Sequence, residues 1–254
     1  MRENPLIVSV HSYRGGTGKS NITANLATIM AQSGLRVGVI DTDIQSPGIN
    51  VLFGMNSTDA KRTLNDYLWG KCEIQDTAHD VTAGVDGTMS GRIFLVPSSM
   101  NPGDMARVLK SGYDVSLLKS GMESLLDTLE LDALLIDTHP GLNEETLLSL
   151  ALSDVLVILL RPDQQDYLGT SVTLKVADRL QVPQTYLLIN KVPSCFAPEM
   201  VIAKVASSFG KPVLGLLQHS DDMMALASDG IFVTKYPNTA ITATLRTAVE
   251  AILA

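Results

Sequence analysis

The chain has 254 residues, of which 45% are hydrophobic and 18% are charged, and this composition is typical of a folded globular protein rather than a disordered one. Its formal net charge of −8 argues against a protein built mainly to coat nucleic acid, which needs clustered lysine and arginine. The length is sufficient for one large core, so we expect a single domain over residues 1–254.

Short apolar runs alternate with helical patterns along the chain, which predicts βα units and a mostly parallel sheet. The predicted strands are 6–10, 35–40, 92–96, 131–136, 154–160, 185–189 and 213–217. The predicted helices are 20–32, 63–69, 114–130, 164–180, 198–209 and 238–253, with 77–91 mainly loop. The sequence therefore predicts the α/β class: one doubly wound sheet with helices on both faces and ligands at the carboxyl ends of its strands.

A glycine-rich segment, Arg14-Gly15-Gly16-Thr17-Gly18-Lys19-Ser20, follows the first predicted strand. The common phosphate loop, G-x-x-x-x-G-K-[ST], would have glycine at position 13, where Tyr13 stands. Glycine lets backbone N–H groups approach phosphate oxygens, Lys19 is placed to reach the β- and γ-phosphates, and Ser20 to ligate Mg²⁺. The alternative interpretation is that Gly15 and Gly16 simply form a tight turn. The candidate nucleotide-binding residues here are Gly15, Gly16, Thr17, Gly18, Lys19, Ser20 and Asn21.

Carboxylates follow two further predicted strands. Asp41 and Asp43 stand at i and i+2 after one strand, so both can face a metal-bound phosphate and its water. One of them can hold Mg²⁺ while the other orients the attacking water, and Asp137, after the strand 131–136, completes the Mg²⁺ ligands. For either Asp41 or Asp43 taken alone, the alternative interpretation is an ordinary solvated turn. His139 is expected to be a loop residue that senses the γ-phosphate, because phosphoryl transfer needs little acid–base catalysis.

Asn190 and Lys191 follow the predicted strand 185–189 and resemble the base-reading Asn-Lys-x-Asp of GTP-binding proteins. Pro193 occupies the place of the carboxylate that would pair with guanine. The pattern therefore favours adenine, with the Asn190 amide as the base contact. Asparagine and lysine are also ordinary turn residues after a strand.

Together these motifs, in this order and spacing, resemble the deviant Walker-A ATPases of the MinD/ParA type. The resemblance covers most of the chain, including 215–218 and 227–230, which look like the segment that closes the nucleotide pocket in MinD-like members. It implies an ATPase that binds ATP or ADP with Mg²⁺, forms a face-to-face homodimer around two nucleotides, and positions cellular cargo with a partner that stimulates hydrolysis. It also implies that Asp43 positions the attacking water.

One position departs from that family. Where its members carry a signature lysine that reaches across the dimer, this chain has Arg14, whose planar guanidinium is not interchangeable with an ammonium. An arginine that enters a phosphoryl-transfer site from a partner is a known catalytic device, so catalytic action in trans is one expectation. The other is that Arg14 pairs with Asp41 or Asp137 of its own chain and leaves a slow switch.

Features outside the nucleotide motifs bear on location and partners. The first residues carry an apolar run too short for a secretory signal, and no run of about 20 apolar residues exists, so no membrane span is expected. Residues 240–254 carry only Arg246 as a cation, unlike the amphipathic tail of membrane-binding members. Cys72 and Cys195 lack the C-x-x-C spacing and are expected to be buried in a reducing cytosol.

We therefore expect a cytoplasmic ATPase switch that recruits a partner through exposed helices around 100–125 and 164–180. Non-specific DNA contact stays an open alternative that the net charge does not support. A nucleotide-binding regulator with almost no hydrolysis is a second alternative, suggested by Arg14. A metabolic ATP-dependent ligase or kinase on the same scaffold is a third, although the sequence shows no separate substrate domain or catalytic nucleophile.

Overall fold

The computed structural model of the chain describes residues 4–56 and 59–254, with the backbone alone at positions 109 and 111. Its strands are β1 (Leu6–His11), β2 (Arg36–Asp41), β3 (His79–Asp80), β4 (Arg92–Val96), β5 (Ala133–Asp137), β6 (Val155–Leu160), β7 (Gln184–Val192) and β8 (Val213–Gln218). They form one eight-stranded sheet in the order β3-β4-β2-β5-β1-β6-β7-β8. β3 is antiparallel to β4, and the other neighbours are parallel.

Helices connect the strands. They are α1 (Lys19–Gln32), α2 (Ile49–Leu52), α3 (Leu64–Leu68), α4 (Pro102–Ser111), α5 (Ser116–Thr128), α6 (Glu144–Leu152), α7 (Gln164–Arg179), α8 (Pro198–Phe209), α9 (Asp221–Leu226), α10 (Phe232–Lys235) and α11 (Ala240–Leu253). One face of the sheet packs against α1, α10 and α11. The opposite face packs against α3 and α5 at one end and against α7 and α8 at the other.

The centre of the sheet is buried on both faces. Every residue of β5 and β6 is buried, and alternate residues of each strand belong to different core clusters on the two sides. Continuous apolar runs of this kind are typical of parallel strands covered by helices on both faces. The core therefore holds the carboxyl ends of β1, β2 and β5 side by side, at the edge where the predicted site residues lie.

The predicted α/β class with a doubly wound sheet is confirmed. Within 77–91, predicted as loop, the structure adds the two-residue strand β3 paired with β4. The sequence pattern also fails to predict the four-residue helices α2 and α10. It misses three longer helices as well, α4, α6 and α9. Their capping signals are nevertheless present, since the side chain of Asn143 accepts from the Thr146 N–H at the start of α6, and Ser220 accepts from the Met223 N–H at the start of α9.

The prediction that both cysteines are buried is wrong for Cys195, which is exposed, and Cys72 is only partly buried. Cys195 lies in the loop between β7 and α8, where the chain runs over the surface. Partial burial raises the pKa of the Cys72 thiol.

Gly91 offers a test of how tightly the chain packs before β4. A Cβ built on this residue would lie 2.0 Å from the carbonyl oxygen of Leu35, and that oxygen accepts the hydrogen bond of the Arg92 N–H. Because the obstacle is backbone, no side-chain rotation relieves it. We expect Gly91→Ala to lower the free energy of unfolding by about 2–3 kcal/mol in chemical denaturation. Ser90→Ala, at an exposed neighbour, is the control, and equal stability of the two variants would contradict the close contact.

Candidate functional site

The predicted phosphate loop lies between the end of β1 and the start of α1. Gly16 and Gly18 have φ of 76° and 98°, in the left-handed region that glycine adopts without strain. A Cβ on Gly18 would lie 2.7 Å from Asn190 Nδ2, so a second, steric reason requires glycine there. The chain therefore turns from a buried strand into a 14-residue helix by a route that these glycines permit.

The loop has the chemistry of an anion site. Among the described residues, no protein acceptor is bonded to the backbone N–H groups of residues 15–20. These donors stand at the N-terminus of α1, whose dipole favours negative charge. The Lys19 side chain is buried at the same place. The loop thus fits the phosphates of a nucleotide.

Two buried carboxyl groups lie next to this loop. Asp41 and Asp137 end the neighbouring strands β2 and β5, where they are partners in the parallel register, and each is 1% exposed. Asp41 Oδ1 accepts from the Asp43 N–H at 3.0 Å, and Oδ2 accepts from the Gly48 N–H at 3.3 Å. Among the described residues, no group of three His, Cys, Asp or Glu could hold a metal alone.

Burial dominates the acidity of both groups. Desolvation raises the pKa of Asp137 to about 6, against the opposing effects of Lys19 and Ser20. Desolvation also raises the pKa of Asp41, and the charge of Asp137 raises it further. Two carboxylates this close and this dry favour a cation between them, and Asp41, Asp137 and Ser20 are the residues that could hold one.

Asp43 and His139 form a pair at the border of the site. His139 Nδ1 donates to Asp43 Oδ1 over 2.7 Å. The side chains are 22% and 13% exposed, respectively. The sequence singled out both residues but did not predict that they bind each other.

Arg14 lies on α7 in this structure. Its Nη1 donates to Gln165 Oε1 and stands 3.9 Å from Asp166 Oδ1. The expectation that Arg14, if it stays in its own chain, pairs with Asp41 or Asp137 is wrong here, because the side chain turns to the N-terminus of α7. Asp166 is 3% exposed and also accepts from Arg161 Nε at 3.0 Å, so this carboxylate is shared between two arginines.

Tyr13 strengthens the same attachment. Its side chain covers Gly169 of α7, where a Cβ would lie 2.3 Å from Tyr13 Cδ1 and 2.6 Å from Tyr13 Cβ. A larger residue at position 169 would displace the start of the loop. The residue that breaks the common phosphate-loop pattern therefore packs this loop against α7.

Asn190 and Lys191 hold the opposite side of the loop. Asn190 Nδ2 donates to the Thr17 carbonyl at 2.8 Å, and Lys191 Nζ donates to the Gly16 carbonyl at 2.8 Å. Both also line a pocket of about 220 Å³ beside the loop, together with Gly18, Asn21, Ile22, Gln218, His219, Ser220, Met223, Met224 and Ala227. The pocket includes Gln218 and Ala227, which belong to the segments that the resemblance assigned to nucleotide-pocket closure.

Comparison with known proteins bears on this arrangement. A family model described as AAA domain matches residues 6–187, well over half of the chain. The chain belongs to this AAA-domain family. The matched part contains the phosphate loop and all three acids, so the family covers the chemical centre of the site.

Curated relatives of this AAA-domain chain differ in their described roles. An uncharacterized ATP-binding protein of Methanocaldococcus jannaschii is 26% identical, over 92% of this chain and 82% of that protein. The flagellum site-determining protein YlxH of Helicobacter pylori is 27% identical, over 74% of this chain and 59% of that protein. An iron-sulfur cluster carrier protein of Methanococcus maripaludis is 30% identical, over 80% of this chain and 65% of the carrier. The chain thus spans less than two thirds of the last two proteins.

Solved structures establish the fold. MinD of Pyrococcus horikoshii, complexed with Mg-ADP, has a TM-score of 0.81 at 18% identity and covers 98% of this chain and 96% of its own. MinD in the MinC:MinD complex of Aquifex aeolicus has a TM-score of 0.80 at 15% identity, with the same coverage. The AAA-domain chain therefore has the fold of the MinD/ParA ATPases. Within its described residues, no helix has the length and hydropathy that crossing a bilayer requires.

Sequence reasoning missed a buried histidine of the site. His11, fully buried at the end of β1, shares a hydrogen bond of 2.8 Å between its Nδ1 and Thr138 Oγ1. Desolvation, with the charges of Lys19 and His139, lowers the pKa of His11 to about 3. Its ring is therefore neutral and supports the loop after β5. Its place directly before the phosphate loop was the only available sequence signal.

The raised pKa of Asp137 predicts a pH effect on stability. Folding holds a proton on this carboxyl to higher pH than the unfolded chain does, so its stabilising contribution is present below the unfolded pKa of 3.8 and is lost as pH rises through about 6. Without nucleotide or Mg²⁺, we expect the unfolding free energy of the wild type, relative to Asp137→Asn, to fall by about 2–3 kcal/mol between pH 4 and pH 7. Urea titrations across this range measure the difference.

Asp127→Asn, at an exposed aspartate of α5, is the control for loss of a surface charge. A difference between wild type and Asp137→Asn that stays flat with pH would show that burial does not perturb Asp137.

Proposed function

We propose that the chain is an ATP-binding and ATP-hydrolysing molecular switch that dimerises on ATP and positions or partitions a cellular cargo through a partner protein. The observation that carries the proposal is the juxtaposition of an anion-binding loop with the buried carboxyl groups of Asp41 and Asp137 at adjacent strand ends. We propose further that residues 1–254 act as one P-loop domain in the cytoplasm.

The proposed roles follow the geometry. Backbone N–H groups of residues 15–20 and the ammonium of Lys19 bind the phosphates. Ser20, Asp41 and Asp137 hold Mg²⁺, which when bound neutralises phosphate charge. Asp43 orients the attacking water. The pocket beside Asn190 receives the base, and we propose adenine because no carboxylate follows Lys191 at the guanine-reading position.

Arg14 is proposed to act in trans after it leaves α7. The Arg14 side chain is 42% exposed, and its guanidinium is held in its own chain by a side-chain amide and a carboxylate that already has an arginine partner. Such a hold is weak enough to exchange for the phosphates of a second nucleotide, which bind arginine through charge-assisted bonds. In this proposal, the movement of Arg14 to the second nucleotide couples nucleotide binding to dimer formation.

The relatives support positioning as the cellular role. YlxH is described as a flagellum site-determining protein and MinD as a cell division protein. The iron-sulfur carriers suggest another cargo, but this chain has two cysteines that lack the spacing of a metal site, so cluster carriage is not what we propose. Exposed Leu168 and Val172 of α7, one helical turn apart, favour this helix, with the region 100–125, as the partner surface.

Dimerisation is the first test. A variant that binds ATP without hydrolysing it should accumulate as dimer, so we expect Asp43→Ala with ATP and Mg²⁺ to double its mass in light scattering after size exclusion. Lys19→Ala, which removes the phosphate-binding ammonium, should stay monomeric. If Asp43→Ala binds ATP and remains monomeric, the proposed sandwich dimer must be abandoned.

The chemistry of Arg14 is the second test. Loss of an arginine from a phosphoryl-transfer site commonly costs about 100-fold or more in rate, so we expect Arg14→Ala to lower the ATPase rate by at least that factor. Arg14→Lys should retain part of the activity. Equal, measurable rates in the three proteins would show that Arg14 contributes nothing to catalysis.

The same assay separates the alternatives. Rates near zero in all three proteins, with tight nucleotide binding, would favour a regulator that hardly hydrolyses ATP. Turnover that requires an added metabolite, rather than a protein or DNA, would favour a ligase or kinase.

A further inference from the structure

The Asp43 carboxylate is held through one of its two oxygens. Oδ1 accepts three hydrogen bonds, from the Ser46 N–H at 3.1 Å, the Ser46 hydroxyl at 2.9 Å and His139 Nδ1 at 2.7 Å. Among the residues that the structure describes, no donor is bonded to Oδ2. The carboxylate is therefore oriented by Oδ1 and presents Oδ2 as its free acceptor.

The three donors to Oδ1 attach the Asp43 carboxylate to different parts of the chain. Ser46 belongs to the same turn as Asp43, so its two bonds fix the carboxylate only relative to its own loop. His139 comes from the loop after β5, and its bond is the shortest of the three. This bond therefore connects the end of β2 to the neighbouring strand.

The loop that carries His139 is itself fixed to the phosphate loop. The Gly141 N–H donates to the Ser12 carbonyl at 3.3 Å, and the Thr146 hydroxyl donates to the His139 carbonyl at 3.2 Å. Gly141 has φ of 88°, which lets the chain turn at this point. The hydrogen bond to His139 therefore connects Asp43 to the start of the phosphate loop.

The hydrogen bond between His139 and Asp43 is partly buried. The His139 side chain is 22% exposed and the Asp43 side chain 13%, so solvent screens the bond between them only in part. A bond shielded in this way constrains the orientation of the Asp43 carboxylate. The neighbouring contact of His11 with Thr138, by contrast, is fully buried in the core.

We propose that His139 is a positioning residue for ATP hydrolysis: its Nδ1–H holds Asp43 Oδ1 so that Oδ2 aims at the attacking water. This rests on the proposed function, in which Asp43 orients that water. The water oxygen bonds to the γ-phosphorus as the bond to the ADP oxygen breaks, one water proton stays on the phosphate and the other passes to solvent. His139 keeps its proton throughout and touches neither water nor phosphate.

Steady-state ATPase assays with Mg²⁺ on four variants test the proposal. His139→Ala removes the donor. His139→Asn places an amide donor the same number of bonds from Cβ as Nδ1, whereas His139→Gln places it one bond further away. His79→Ala, at a partly buried histidine of β3, is the control for loss of a histidine elsewhere. Affinity for a fluorescent ADP analogue and thermal unfolding are measured alongside.

We expect His139→Ala to lower kcat by about 10- to 100-fold, as a misplaced catalytic group does, with KM and ADP affinity nearly unchanged. His139→Asn should recover most of kcat, and His139→Gln should not. If His139→Ala does not fold, the comparison of kcat between His139→Asn and His139→Gln still tests the proposal.

Two results would overturn the proposal while leaving ATP hydrolysis intact: wild-type kcat in His139→Ala, or equal loss of kcat in the Asn and Gln variants. A different result rejects the proposed function itself, namely no hydrolysis by the wild type, or no loss of hydrolysis in Asp43→Ala.

Discussion

The site depends on one electrostatic constraint: two carboxyl groups are buried side by side where β2 and β5 end. Removing charge from water is costly, and the raised pKa values of Asp41 and Asp137 measure that cost. The surrounding core makes the arrangement tolerable, because fully buried central strands supply the apolar contacts that offset it. The charge of Lys19 at the start of α1 opposes the rise in the pKa of Asp137.

The phosphate loop is shaped by its carbonyls as much as by its glycines. In a trans peptide, the carbonyl of one residue and the N–H of the next point in opposite directions. Lys191 binds the Gly16 carbonyl and Asn190 binds the Thr17 carbonyl, so the N–H groups of the following residues are directed away from β7. On the other side, Tyr13 and Arg14 attach the loop to α7. The phosphate loop is therefore attached on one side to β7 and on the other to α7.

The sequence predicted the parts of this molecule that depend on local pattern. The alternation of apolar runs with helical patterns predicted the α/β class. The glycines and acids that follow those runs lie together at one edge of the sheet. It could not predict which polar side chains meet, because those contacts depend on loop paths. Arg14 to Gln165 and Asp43 to His139 join residues 151 and 96 positions apart. The exposure of Cys195 was missed for the same reason, since burial in a loop has no periodic signal.

Under the proposed function, the buried acids link cation binding to folding. A cation that neutralises Asp41 and Asp137 recovers free energy that the folded chain otherwise loses when these groups ionise, so it stabilises the folded protein by mass action. Nucleotide phosphates on the loop beside them would act in the same direction on Lys19. Because each ligand supplies the charge that the other lacks, their affinities should reinforce each other, and the folded chain should hold the two together more firmly than either one alone.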